Sequence, residues 1–90
     1  MAKKRKIKVT LRKLGKERAL GLCHQSENLI ELDERQTSYM FGRVAVHEAL
    51  HAVAPLWSEH RVEKASTIIW DVIWGLNFRR VYEKNIKMKK

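Results

Sequence analysis

The chain contains a single proline, Pro55, and that residue divides the second half of the sequence into two helices. A proline inside a helix removes a hydrogen bond and collides with the preceding turn, so a helix approaching it must stop near Ala54. The approaching helix is written in Met40, Phe41, Val44, Leu50 and Val53, whose spacings of three, four and their sums give an amphipathic face. Thr37 or Ser38 suits its start. After the proline, Ser58 is a favourable N-cap and Glu59 complements the positive end of a second helix. Val62, Ala65, Ile69, Val72, Ile73 and Leu76 supply that helix with a buried stripe, and its tail is expected to run to about Tyr82. Gly75 weakens it without ending it. Only Pro55, Leu56 and Trp57 separate the two helices, so the chain folds back into an antiparallel hairpin.

The first half has a different period. Ile7, Val9 and Leu11 alternate with Lys8, Thr10 and Arg12, which marks a half-buried strand. Gly15 and its charged neighbours read as a turn, and Ala19 to Cys23 as a second strand. The polar run His24-Gln25-Ser26-Glu27-Asn28 suits a hairpin turn, and Leu29 to Leu32 form a third strand. Tight turns between short strands imply a three-stranded antiparallel sheet. Strands followed by two packed helices define a small α+β domain. With 90 residues, the chain is expected to be one domain, residues 1–90, with basic tails. A core this small is marginal alone, and a bound metal or a second subunit would support it. Trp57, Trp70 and Trp74 serve core packing or a dimer contact.

The formal charge is +9, concentrated at the two ends. Basic termini either act as solvated tails or contact nucleic acid, the latter with Phe78 and Tyr82 interleaved. Cys23 is the only cysteine, so no internal disulfide forms and a reducing, cytoplasmic compartment is expected. No apolar run is long enough to span a bilayer, and no targeting segment is expected.

Residues 47–51 read HEALH. Positions i and i+4 of a helix lie above one another on one face. Two imidazoles so placed can hold one zinc ion at about 2.0–2.1 Å each. Glu48 then leans toward the position where a water would sit. A helical ruler selects the third ligand. From the level of Ala49 to Ala54 the first helix rises about 7.5 Å, and from Ser58 back to Glu63 the second rises the same, at roughly 1.5 Å per residue. Glu63 therefore arrives level with His47 and His51. Glu59 and His60 stand nearer the turn and would have to reach along the axis. Three protein ligands leave one position open, as a catalytic zinc requires.

The stretch from Ala19 to Ser66 resembles the minimal gluzincin metallopeptidases. These include ImmA/IrrE-type and SprT-like domains and very small zincin-like proteins common in phage genomes. The resemblance lies in a glycine-bearing strand (Gly21), a polar turn, a strand ending in an acidic residue (Leu29 to Asp33), the HEALH helix, and a following Ser58-EHRVEKAS segment. It covers about residues 19–76. It implies that the glutamate of the VE pair, Glu63, is the third ligand. It also implies that Glu48 is the general base for a zinc-activated water and that the strand Leu29 to Leu32 forms the wall of a cleft. An extended polypeptide would pair with that wall by strand addition. His60 is the candidate donor to the tetrahedral intermediate, with Tyr39 and Arg61 behind it. Cys23 is either a thiolate cap on the metal or a small buried hydrophobe, and His24 is placed in an exposed turn. The alternative function is a small basic protein that binds nucleic acid or a host factor, in which zinc is structural.

Overall fold

A computed structural model describes residues 6–81. Three strands, β1 (Lys8–Arg12), β2 (Gly21–His24) and β3 (Leu29–Asp33), precede two helices, α1 (Ser38–Val53) and α2 (Glu59–Gly75). The α+β class is as the sequence implies, but the sheet is mixed, with order β1-β3-β2. β2 pairs antiparallel with β3 in the register Gly21 to Leu32 and Cys23 to Ile30. β1 pairs parallel with the other side of β3, Val9 beside Ile30 and Leu11 beside Leu32. β3, not β2, is therefore the central strand.

The parallel pairing follows from how the link after β1 is tied down. Leu14 is fully buried, and its N–H donates to the carboxylate of Asp33 at 3.0 Å. Asp33 also accepts from the N–H and side chain of Arg35. The Arg35 guanidinium, with these backbone donors, holds the Asp33 carboxyl well below the usual range. The link thus crosses the end of β3 and does not fold back as a hairpin. At the other end of the sheet Asn28, in the left-handed region at φ 54°, caps a single 3-10 turn (Gln25–Glu27) between β2 and β3. Its side chain donates to Lys6 O, and Lys8 N donates back to Asn28 O.

Ile30 and Leu32 point to one face of β3 and are 3% and 2% exposed, because α1 lies over β2 and β3. Val9 shares that face but stands at the strand α1 does not cover, and it is exposed. The charged face carries Glu31, which accepts from both Arg12 and His24. His24 is thus the last residue of β2, half-buried against Glu31, and not part of an exposed turn.

Thr37 caps α1, accepting from Met40 N, and Ser58 caps α2, accepting from Arg61 N. α1 ends at Val53, just before Pro55. α2 packs mainly on α1 and less on the sheet. Its buried line is Val62, Ser66 and Trp70, spaced by four. Of the apolar stripe expected from sequence, Val62 is buried, whereas Ile69, Val72 and Leu76 are exposed. A helix whose chief neighbour is one other helix buries a narrower seam than that stripe.

α2 also stops earlier than expected, at Gly75. Asn77 takes a positive φ of 73°, its N–H donates to Trp74 O, and Phe78 N donates to Ile73 O. This is the Schellman arrangement, with Asn in the left-handed position. The chain then returns over the start of α1, where Arg80 N donates to Ser38 Oγ at 2.8 Å. Tyr82 and most of both basic ends lie outside the described residues. Among the described residues no helix is long and apolar enough to cross a membrane.

Candidate metal centre

The same face of α1 carries Arg43, His47 and His51, each one helical turn apart. Opposite them α2 presents Glu59 and Glu63, again one turn apart. The helices run antiparallel, so these five side chains interleave. Nε2 of His51 lies 2.9 Å from Oε1 of Glu59, and Nε2 of His47 lies 2.9 Å from Oε2 of the same carboxylate. Nδ1 of His47 lies 3.0 Å from Oε1 of Glu63, whose other oxygen accepts from Arg43. The two imidazoles stand 4.9 Å apart between centroids.

One ligand atom each from His47, His51 and Glu59 falls within 4.8 Å of the other two. On a tetrahedral zinc with bonds of about 2.0–2.1 Å, donors stand roughly 3.4 Å apart, so seating one ion opens the 2.9 Å pairs and draws the wider one in. Two neutral imidazoles and one carboxylate are also the donor chemistry a catalytic zinc takes. The residues present therefore fit the metal, with Glu59 as the third donor.

The ruler pointed to Glu63, and the structure sets that residue one turn further along, on the other nitrogen of His47. The ruler compared backbone levels. The donor atoms lie at the ends of side chains whose reach is comparable with the helical pitch of ~5.4 Å, and that reach carries the Glu59 carboxylate to the paired Nε2 atoms. The available signal was the spacing of four from Glu59 to Glu63, which puts both carboxylates on one face.

Glu48 occupies a different position from the ligands. It is buried, 9% exposed, and points toward the sheet side of α1. Gly21 makes room for it: a Cβ there would stand 2.9 Å from Cγ of Glu48 and 2.6 Å from Cγ1 of Val44. Burial pushes the Glu48 carboxyl above its usual range, and the adjacent His47 and His51 oppose that shift.

His47, Glu48 and Gly21 line two adjoining hollows of about 310 and 340 Å³. One extends past Met40 and Arg43, the other past Cys23 and His51. The hollows follow β2, which is an edge strand, and not β3, whose two sides are taken by β1 and β2. Leu20 to Cys23 accordingly line the cleft; Leu29 to Leu32, expected there, form the middle of the sheet.

The expected oxyanion donors lie elsewhere. His60 is exposed and, with Glu63, Lys64, Thr67 and Ile68, lines a groove that neither histidine of HEALH borders. Arg61 stacks on Trp57, 4.3 Å from the ring centroid. Tyr39 donates to Asp71 and stacks edge-on against Trp74 at the far end of the helix pair. Cys23 borders the cleft, and burial and then the Glu48 charge push its thiol up.

Comparison with family models, with curated proteins and with solved structures finds no match for the chain.

Proposed function

We propose that the chain is a zinc-dependent metallopeptidase of the minimal gluzincin kind, with His47, His51 and Glu59 as the metal ligands and Glu48 as the general base. The observation that carries this reading is the pair of 2.9 Å approaches by which one Glu59 carboxylate meets Nε2 of both histidines of HEALH. Ligation requires both imidazoles to be neutral, so metal binding is pH-dependent.

Zinc held there supplies a Lewis acid for a carbonyl and acidifies a water. The protein's own part is proton handling and alignment. Glu48, seated against Gly21, takes the proton from the attacking water and returns it to the leaving amine. Burial favours its protonated form, which suits the second of these steps. Among the described residues β2 is an edge strand, and Gly21 on it lies against Glu48. An extended polypeptide laid antiparallel to Gly21–His24 would pair with that edge and bring one peptide bond past the base. This reading takes an extended or unfolded polypeptide as the substrate class, and the lone Cys23 supports a reducing, cytoplasmic setting.

The test is Glu48→Gln. The variant should keep about one zinc per chain and lose hydrolysis of an unstructured polypeptide such as β-casein. Undiminished cleavage by Glu48→Gln contradicts the reading. Zinc at this stoichiometry with no cleavage by the wild type, together with a steep salt dependence of DNA binding, favours the basic nucleic-acid-binding alternative with zinc in a structural role.

A further inference from the structure

We propose that Glu63 is the positioning residue of this centre: anchored by Arg43, it fixes the ring of His47 through Nδ1 so that Nε2 is the nitrogen offered to the metal. The inference rests on the zinc reading above and deepens it.

The ring of His47 stands between two carboxylates. Its Nε2 is 2.9 Å from Glu59 and its Nδ1 is 3.0 Å from Glu63. A neutral imidazole carries one proton. When Nε2 is the ligand, that proton is on Nδ1, and the group within reach to accept it is Glu63. A carboxylate behind a ligating histidine holds the ring in one tautomer and orientation and raises its basicity.

Arg43 makes Glu63 suited to this task. Its guanidinium donates to Oε2 of Glu63, which leaves Oε1 for the imidazole. Arg43 and His47 are one turn apart on α1, so the anchor and the ligand are fixed to the same rigid element. Both carboxylate oxygens of Glu63 are thereby committed, one to Arg43 and one to Nδ1 of His47. Glu59, by contrast, spreads its two oxygens over the two Nε2 atoms. The two glutamates thus divide the work of ligand and support.

Cobalt(II) titration of the purified full chain, read by its visible absorption, separates these roles. Glu63→Ala should bind cobalt about 10–100-fold more weakly and, at saturation, give the wild-type spectrum, because the donor atoms are unchanged. Glu63→Gln, whose amide oxygen still accepts from Nδ1–H, should recover part of the loss. Arg43→Met should weaken binding in the same direction by a smaller factor. Far-UV circular dichroism of the metal-free variants should match the wild type, since Glu63 is half-exposed. A spectrum altered in Glu63→Ala would make Glu63 a ligand and overturn the proposal. Unchanged affinity in both Glu63 variants would reduce it to an interhelical ion pair and overturn it too. In either case cobalt binding by the wild type leaves the zinc reading standing, whereas a wild type that binds no cobalt overturns both.

Discussion

The two ends of the α1–α2 seam are built on opposite principles. At the end near Pro55, charged and imidazole groups alternate: Arg43, Glu63, His47, Glu59, His51. At the other end the seam is aromatic. The ring of Trp70 lies against Gly42, where a Cβ would stand 2.2 Å from the ring, and Tyr39 packs edge-on to Trp70 and Trp74. Arg79 covers Trp74 from outside at 3.4 Å. One end holds the helices together by shape and dispersion. The other contributes little to stability, since partly exposed ion pairs are worth about 0–1 kcal/mol, and it holds donor atoms in position. The lesson is that stability and chemistry are separable along one helix pair.

The largest effect expected is at the aromatic end. Trp70→Ala should cost about 3–5 kcal/mol, a large share of what a domain this small possesses. Gly42→Ala, which drives a methyl into the Trp70 ring, should cost about 1–3 kcal/mol. Urea denaturation of the metal-free proteins measures both. Zinc affinity of the Gly42 variant, taken where it is still folded, should match the wild type. A large loss of affinity would show the two ends to be coupled and break the comparison.

The next effect belongs to the cleft. Gly21→Ala places a Cβ 2.6 Å from Cγ1 of Val44 and 2.9 Å from Cγ of Glu48, so α1 and the Glu48 side chain must both shift. A general base displaced by about 1 Å costs on the order of 10²-fold in rate. Zinc content should stay at the wild-type level while kcat on β-casein falls. Unchanged kcat would mean that the seat of Glu48 is not set by β2.

How much of this was legible beforehand depends on how local each signal was. The caps at Thr37 and Ser58, the stop before Pro55 and the pairing of His47 with His51 are each decided within a few residues, and the sequence declares them. The strand order was not legible, because it turns on Leu14 meeting Asp33 across the fold, and alternation in β1 says nothing about its neighbour. Nor was the choice between Glu59 and Glu63, which depends on side-chain reach and on the axial offset of two helices. The end of α2 was a missed local signal: Asn77 was there to be read as a left-handed cap. The exposed Ile69, Val72 and Leu76 show the limit of periodicity, which marks an apolar face without saying what covers it.

The smallest effect lies on the sheet, away from both ends. Arg12, and then His24, hold the Glu31 carboxyl down to about 2. A depressed carboxyl adds stability that is present above its unfolded value of about 4.3 and is lost as pH falls through that value toward about 2. Glu31→Gln should therefore flatten the acid limb of the stability curve between those limits and leave it unchanged near neutrality in shape. Equal acid slopes for variant and wild type would show that the pair is screened.

Zinc content of the wild type against Glu59→Ala, measured by atomic emission after gel filtration without chelator, tests the centre most directly. About one zinc per wild-type chain and a marked loss in Glu59→Ala is the result expected of a centre made by His47, His51 and Glu59. A wild type free of zinc, or a Glu59→Ala variant that retains it in full, would contradict that assignment.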